Sequence, residues 1–231
     1  MQKHLITLSD SRTLEVYSAG TPSAQALVFH HGTPGSALSW QRWFAAVDQL
    51  GAFAISYSRP GYGESTRKKS RTVISNTQDI SEMLKHFGIQ KYVAIGWSGG
   101  GPHALADTTL DSCLAAITLA GVGAFGASDL DFLEGMGQEN YDEFNAALNG
   151  ESKLDEWMQE NSESMAEVTG PQLIEALGGL IGEADKRALD PEAAEKMARE
   201  FRHSLINGYT GWMDDDFAFI QDWGFEIGSI N

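Results

Sequence analysis

The sequence is poor in cysteine, in basic residues and in long apolar runs. It has one cysteine in 231 residues, so no disulfide can form within the chain and nothing points to an oxidising compartment. Lys and Arg number 16 against 32 Asp and Glu, a formal charge of −16. This balance argues against nucleic acid or an anionic membrane as a partner, because phosphate binding needs clustered basic side chains.

Targeting signals are also absent from the sequence pattern. No apolar run approaches the roughly 20 residues that span a bilayer. The first seven residues, MQKHLIT, lack the apolar stretch of a secretory signal. We therefore predict a soluble cytoplasmic protein, and the length suits one domain or one domain with a large insertion.

The charge is distributed unevenly along the chain. Residues 1–126 carry 10 Lys and Arg and 8 Asp and Glu, whereas residues 127–231 carry 6 and 24. The corresponding net charges are +2 and −18. This asymmetry predicts a change of architecture near residue 127.

Short apolar runs alternate with amphipathic stretches in the first part. The strand-like runs are 4–8, 14–17, 26–30, 53–57, 92–95 and 115–119. The helix-like stretches are 40–50, 74–87 and 102–110, and Gly88 is well placed to end the second of them. Near-continuous apolar strands that alternate with helices predict an α/β fold, a mostly parallel sheet with helices on both faces.

The strand signal disappears between residues 128 and 207. This stretch is rich in Glu, Ala, Leu and Met, with helix starts expected at Asp190-Pro191 and Gly170-Pro171. We predict several short helices here. Their acids are interpreted first as solvated helix faces, with a negative rim that attracts cationic substrates as the alternative.

The strongest chemical signal is G-W-S-G-G at residues 96–100, after a predicted strand and before a predicted helix. A G-x-S-x-G sequence in this context predicts a sharp turn that lifts the hydroxyl of Ser98 above the sheet. The turn leaves space only for small neighbours, which Gly96 and Gly100 provide. The amide of Gly99, at the start of the following helix, can stabilise negative charge on a substrate oxygen.

Two further glycine-rich loops follow strands. In H-G-T-P-G (residues 31–35) the amide of Thr33 is the candidate second oxyanion donor, because Pro34 has no N–H. The alternative is an ordinary Gly/Pro turn. The loop S-R-P-G-Y-G-E-S (residues 58–65) is interpreted as a structural turn.

With these three motifs in this order, the sequence resembles the α/β-hydrolase superfamily, nearest its proline iminopeptidase-like and small-ester hydrolase branch. The resemblance covers residues 1–126 well. It implies a sheet of strand order 1-2-4-3-5-6-7-8 with the first strand antiparallel. It also implies a hydrolase core at 1–126, an inserted acidic helical cap at 127–209, and a return helix leading to a seventh strand at 210–231. Its members use an acyl-enzyme without cofactor or metal.

The sequence departs from this family at the base that activates the serine. Family members carry an acid and then a histidine after the cap, and neither is found here at a matching position. His203 is interpreted as a cap-surface residue, His103 as pointing away from Ser98, and Asp129 as an acid without a histidine to orient. Three explanations stay open: part of a longer enzyme, half of a split enzyme whose second chain supplies acid and histidine, or a non-catalytic remnant.

The resemblance implies a serine hydrolase acting on a small ester, amide or peptide, with Ser98 as nucleophile and Thr33 and Gly99 as the oxyanion hole. The alternative is a catalytically silent binding protein. Candidate substrate contacts are His31, Gly32, Trp97 and Phe125. Trp40 and Trp212 are pocket candidates too, with packing aromatics as an equal alternative. Self-association or a second chain is a possible partner because a sixth strand at the sheet edge would be unprotected.

Overall fold

Six strands form one sheet in the computed structural model, which describes residues 1–177 and 181–230. Their bounds are β1 Gln2–Thr7, β2 Thr13–Gly20, β3 Gln25–His30, β4 Phe53–Tyr57, β5 Lys91–Trp97 and β6 Cys113–Leu119. The order across the sheet is β1-β2-β4-β3-β5-β6. All six predicted strands are therefore confirmed, and the order matches the first six positions that the resemblance implied.

The direction of one strand differs from expectation. β2 pairs antiparallel with both β1 and β4, whereas β4, β3, β5 and β6 are parallel to one another. The expectation that the first strand runs antiparallel to the rest was wrong, since β2 is the strand that opposes the other five. The hairpin between β1 and β2 is what reverses the chain before the parallel strands begin.

Helices cover both faces of the sheet, as predicted. A 3-10 turn, Ala37–Trp40, leads into α1 (Gln41–Gln49), and the next helices are α2 (Asn76–Phe87) and α3 (Gly100–Asp107). On one face α2 packs on strand residues such as Val28 and Ile55 through Met83. On the other face α1 packs through Phe44 on Phe29 and Ala54. Adjacent strand residues thus bury their side chains in opposite layers, which explains why the strands read as continuous apolar runs.

The second half of the chain is helical. Its helices are α4 Gln138–Leu148, α5 Glu151–Ala166, α6 Gly170–Leu177, α7 Glu183–Ala188 and α8 Pro191–Ser204. α6 begins at Gly170 and α8 at Pro191, as predicted, and the Asp190 carboxylate caps α8 by accepting the Ala193 N–H at 2.8 Å. Among the described residues of 128–207 there is no strand; residues 178–180 lie outside the described part.

The chain returns to the sheet through α9 (Thr210–Phe219). It lies within residues 210–231, where the resemblance implied a return helix. The following residues, expected to lead into a seventh strand, contain a 3-10 turn at Ile227–Ser229 and no strand within 224–230. Asn231 lies outside the described residues. Across the part of the chain that the structure describes, no helix is long and apolar enough to cross a membrane.

Candidate active site

The turn between β5 and α3 holds Ser98 in an unusual backbone conformation. Its φ is +51°, in the left-handed region that side chains disfavour, and its side chain is partly exposed. A Cβ on Gly96 would lie 2.1 Å from the backbone oxygen of Gly100. The chain therefore folds back on itself so tightly around Ser98 that position 96 admits no side chain.

The H-G-T-P-G loop packs directly against this turn. A Cβ on Gly32 would lie 3.4 Å from the Cβ of Ser98 and 2.9 Å from the Trp97 ring. A Cβ on Gly99 would lie 2.2 Å from the Thr33 Oγ1. The two glycines bring the loop and the turn into contact, so Thr33, Ser98 and Gly99 form one cluster at the ends of β3 and β5.

The backbone amides of Thr33 and Gly99 are left without acceptors. Neither N–H donates a hydrogen bond within residues 1–177 or 181–230. Buried or half-buried N–H groups normally have a partner, and two free ones beside a serine are suited to an oxygen that carries negative charge. The arrangement can thus stabilise the anion formed when a hydroxyl attacks a carbonyl.

We expected His31 to contact substrate, but the structure buries its side chain beneath the H-G-T-P-G loop. It is fully buried, its Nε2 accepts the backbone N–H of Arg59 at 2.9 Å, and its Nδ1 lies 2.7 Å from the Gly32 carbonyl oxygen. Burial and the neighbouring Arg59 charge hold the pKa of His31 well below its ordinary value, so the ring is neutral. Its two ring nitrogens hydrogen-bond to backbone groups of Arg59 and Gly32.

The aromatic candidates fall into two groups. Trp97 and Phe125 are each 38% exposed near the turn and the end of β6, and Phe125 stacks edge-on against Phe132. Trp40 and Trp212 are buried, the first against Phe29 and the second against another tryptophan of the helical segment. Trp97 and Phe125 remain candidates for substrate contact, whereas Trp40 and Trp212 have the packing role given as their alternative.

No histidine hydrogen-bonds to Ser98 among the described residues, which include all six histidines of the chain. His203 bonds the buried Glu15 of β2 at 3.0 Å, and so it ties α8 to the sheet. His103 is fully buried, and its Nε2 lies 3.6 Å from Asp215. His4 pairs with Ser18, and His86 is exposed on α2. His203 was interpreted as a surface residue, but it is a partly buried link.

A histidine–aspartate pair does exist, but in the core. His30 Nε2 lies 3.0 Å from Asp107 and its Nδ1 lies 2.9 Å from the Tyr57 hydroxyl, which in turn accepts from Asn76. All four side chains are buried. Each member is held by the next, which is typical of a structural polar network rather than of a base facing a pocket.

Sequence reasoning missed a buried charge cluster behind the H-G-T-P-G loop. Asp215 of α9 accepts hydrogen bonds from Arg59 (2.7 Å), Thr33 Oγ1 (2.8 Å) and Tyr62 (2.8 Å), and it pairs with Arg71. Burial alone would raise the pKa of Asp215, but the two arginine charges hold it well below its ordinary value. The signal available in the sequence was the run of three aspartates in a helix with apolar neighbours.

We had first interpreted the acids of the second half as solvated helix faces, but several of them are buried. Asp214, Asp215 and Asp216 of α9 are buried, and so is Glu143 of α4. Burial raises the pKa of both Glu143 and Asp216, which interact with each other, while the Trp212 indole N–H donates to Glu143. Asp129, by contrast, is exposed. No three metal-binding side chains come together within the described ranges.

Comparison with protein families supports the fold. A family model described as alpha/beta hydrolase fold matches residues 25–140, which include the H-G-T-P-G loop and the G-x-S-x-G turn. This match spans half of the chain, from the start of β3 into the first turn of α4, and it includes Thr33, Ser98 and Gly99.

Two curated relatives align with part of the chain. A non-heme haloperoxidase from Rhodococcus erythropolis is 28% identical over 97 residues, 42% of this chain and 35% of the relative. Epoxide hydrolase A from Mycobacterium tuberculosis is 29% identical over 90 residues, 38% of this chain and 28% of the relative. The chain thus spans about a third of the length of the curated relatives it matches.

Solved structures share the fold over nearly the whole chain. An esterase from Exiguobacterium antarcticum superimposes with a TM-score of 0.62 at 16% identity. The superposition covers 95% of this chain and 74% of the esterase. At this identity the similarity concerns the fold alone.

Proposed function

Because the chain belongs to the alpha/beta hydrolase fold family, we propose that it is a serine hydrolase that cleaves a small ester, amide or peptide through an acyl-enzyme at Ser98. The observation that carries the proposal is the position of Ser98 on a tight strand-to-helix turn beside the free amides of Thr33 and Gly99. The nucleophile and both donors for an oxyanion are thereby held on rigid backbone.

In the proposed reaction Ser98 Oγ attacks the substrate carbonyl, and the carbonyl oxygen becomes negatively charged. The Thr33 and Gly99 N–H groups donate to that oxygen, while a base takes the Ser98 proton and passes it to the leaving oxygen or nitrogen. The carbonyl carbon's bond to that atom then breaks, the alcohol or amine departs, and the acyl group stays on Ser98. Water then releases the acid. The chemistry requires neither metal nor cofactor.

The choice of an acyl substrate rests on the identity of the nucleophile. In the family that the sequence resembles, epoxide hydrolases and dehalogenases carry a carboxylate at the turn, whereas this chain has Ser98. A serine alkoxide forms a hydrolysable ester with an acyl group. We therefore do not extend the epoxide activity named for one relative to this chain.

The proposal also sets a requirement. A base must accept the Ser98 proton, and the six histidines all have other environments. Turnover therefore requires a base from further polypeptide or from a second chain. The same observation favours a second candidate function, a catalytically silent protein that binds a ligand at this turn.

Labelling with a fluorophosphonate tests the proposal. We expect the probe to modify Ser98 slowly in the folded chain, with water accepting the Ser98 proton, and the Ser98→Ala variant to lose the label. Ser81→Ala, which removes an exposed hydroxyl on α2, is the matched control and should label like the parent. A folded chain that shows no Ser98-dependent labelling contradicts the serine hydrolase proposal and favours the silent alternative.

A further inference from the structure

A buried cluster of charged side chains hydrogen-bonds to the H-G-T-P-G loop. We call Arg59, Arg71 and Asp215 the arginine–aspartate cluster. All three side chains are almost completely excluded from solvent. Burying charges is unfavourable unless each is paired and hydrogen-bonded, so an ionic cluster at this depth needs an explanation.

Arg59 uses its guanidinium to hold the loop that carries Thr33. It donates to the carbonyl oxygens of His31 and Gly32, the latter at 2.8 Å, and to Thr33 Oγ1 at 3.0 Å. Arginine directs these bonds from two separate nitrogens in one plane, a geometry that the compact ammonium of lysine does not reproduce. Asp215 accepts hydrogen bonds from Nε and from a terminal nitrogen of the same guanidinium, and so holds it in this orientation.

The Gly32 carbonyl accepts a second hydrogen bond, from His31. Since His31 Nε2 accepts the Arg59 backbone N–H, the proton of the neutral ring is on Nδ1, 2.7 Å from the Gly32 oxygen. Gly32 C=O and Thr33 N–H belong to the same peptide group. Two donors on the oxygen, one of them charged, draw electron density from the nitrogen and make its N–H a stronger donor.

The cluster also carries uncompensated positive charge. Two guanidinium groups face one carboxylate, and Asp214 is engaged by a different arginine, Arg67, at 2.8 Å. Two other titratable groups beside Asp215 are neutral: burial raises the pKa of Tyr62, and burial lowers the pKa of His103 to about 3. Positive charge in a dry region next to the loop stabilises an anion formed at the amides.

We infer that Arg59, held by Asp215, is a positioning residue for the oxyanion hole, which orients and polarises the peptide group that donates the Thr33 N–H. This inference rests on the proposed function, since it assigns a role within the same site. The S-R-P-G-Y-G-E-S loop was interpreted from the sequence as a structural turn. The inference gives this loop a role in the site through Arg59.

The test compares Arg59→Lys with a matched control, Arg67→Lys. Both arginines pair with neighbouring aspartates of α9, but the side-chain hydrogen bonds of Arg67 go to Asp214 and not, among the described residues, to the H-G-T-P-G loop. For folded Arg59→Lys we expect the maximal labelling rate with a fluorophosphonate to fall about 10- to 100-fold, with the half-saturating probe concentration unchanged. The control should stay within about twofold of the parent.

The fraction of chains that react separates positioning from mere stability. A structural role would leave fewer reactive sites, each at the parental rate, and that result or an unchanged rate overturns the inference. If Arg59→Lys does not fold, Thr33→Val decides. Val keeps the N–H but removes the hydroxyl that accepts a hydrogen bond from Arg59 and donates one to Asp215. About tenfold slower labelling that Thr33→Ser restores supports the inference, and parental labelling of Thr33→Val overturns it.

A spectroscopic arm does not depend on Ser98 chemistry. In the parent the Thr33 amide nitrogen and Gly32 carbonyl carbon resonances should lie at low field, and Arg59→Lys should move both upfield while Arg67→Lys leaves them in place. Unmoved resonances overturn the inference even where labelling occurs. Absence of labelling in the parent contradicts the proposed function instead, so the two failures are distinct results.

Discussion

At the scale of single residues, the geometry around Ser98 depends on close backbone approaches. The loop at Gly32 packs so closely on the Trp97 ring and the Ser98 Cβ that position 32 has no room for a side chain. A positive φ at a serine is strained, and it persists only because the surroundings fix it. Small changes at these positions should therefore act on both stability and the site.

Gly96→Ala tests this dependence. The added methyl would lie 2.1 Å from the Gly100 oxygen and 2.5 Å from its carbonyl carbon, both backbone atoms that cannot move aside. We expect the free energy of unfolding to fall by about 2 kcal/mol or more, and Ser98 labelling to fall with it. Urea denaturation followed by tryptophan fluorescence measures the first effect.

Gly137→Ala is the control for this substitution. Gly137 precedes α4 with a negative φ, and a Cβ there meets no atom within 4 Å. Its free energy of unfolding should stay within about 0.5 kcal/mol of the parent. Equal losses for the two variants would show that the tightness of the turn at Gly96 is not the cause.

Residue patterns predict some parts of the site and not others. The small residues around Ser98 follow from the G-x-S-x-G pattern, because the steric requirement is local. The pairing of Arg59 with Asp215 joins positions 156 residues apart, and no local periodicity encodes such a contact. The same holds for His203, whose partner Glu15 is on a strand at the other end of the chain.

At the scale of elements, α9 presents three consecutive aspartates to three different neighbours. Asp214 pairs with Arg67, Asp215 with Arg59, and Asp216 faces Glu143 of α4. Successive helical residues point about 100° apart, which explains how neighbours in sequence reach separate partners. The helix thereby connects the core loops to the helical segment.

The contact of α4 with α9 should depend on pH. Burial raises the pKa of Glu143 and Asp216, so the folded chain binds more protons than the unfolded chain above the ordinary Glu value of 4.5. The extra stability is complete below that value and is lost as the pH rises towards neutrality. In Glu143→Gln, where Gln can still accept the Trp212 N–H, we expect this loss to shrink by about 1 kcal/mol.

Urea unfolding at pH values from 5 to 8, at about unit intervals, measures this difference. Glu200, whose pKa burial raises to about 7, contributes the same slope in parent and variant and cancels from the comparison. Asp142→Asn, at the exposed neighbour of Glu143 on α4, is the control and should keep the parental slope. Identical slopes for the parent and Glu143→Gln would contradict the prediction.

Element types were predictable where periodicity was strong, and their ends where capping residues were present. α8 begins at the expected Asp190-Pro191 because an aspartate cap and a proline at the first position are local signals. The burial of the acids of α9 was not predictable from composition. A charged residue reads as solvated unless its partner is known, and that partner comes from tertiary packing.

At the scale of the whole molecule, the sheet has an apolar edge at β6. Leu114, Ile117 and Leu119 of this strand are 59%, 47% and 41% exposed. An edge strand offers free backbone donors and acceptors, and exposed apolar side chains add a favourable contact area. We propose that copies of the 231-residue chain associate through this edge.

Sedimentation velocity over a range of concentrations tests the proposal. We expect the parent to associate at concentrations of about 10 µM or higher, and Ile117→Lys with Leu119→Lys to shift the chain to monomer. Leu50→Lys, which changes an isolated leucine after α1, is the control and should associate like the parent. A parent that sediments as a monomer throughout would contradict the proposal.

The overall architecture was the most predictable level. Strand order and the helices on both faces follow from alternating elements and the motif resemblance, because few topologies satisfy short right-handed connections. The direction of the first strand was wrong, since hairpin pairing reverses β2 rather than β1. The 3-10 turn at Ile227–Ser229 was also missed, because it lies in a short segment without periodicity.

The separate partners of the three α9 aspartates restrict which substitutions this sequence can accept during evolution. Because Asp214, Asp215 and Asp216 each serve a different partner, no one of them can replace another after a mutation. Arg59 and Asp215 are therefore expected to change together among descendants, while Arg67 and Asp214 change together independently of them. Insertion of one residue into α9 would misalign all three pairs at once, so this helix should tolerate substitutions in matched pairs but not changes of length.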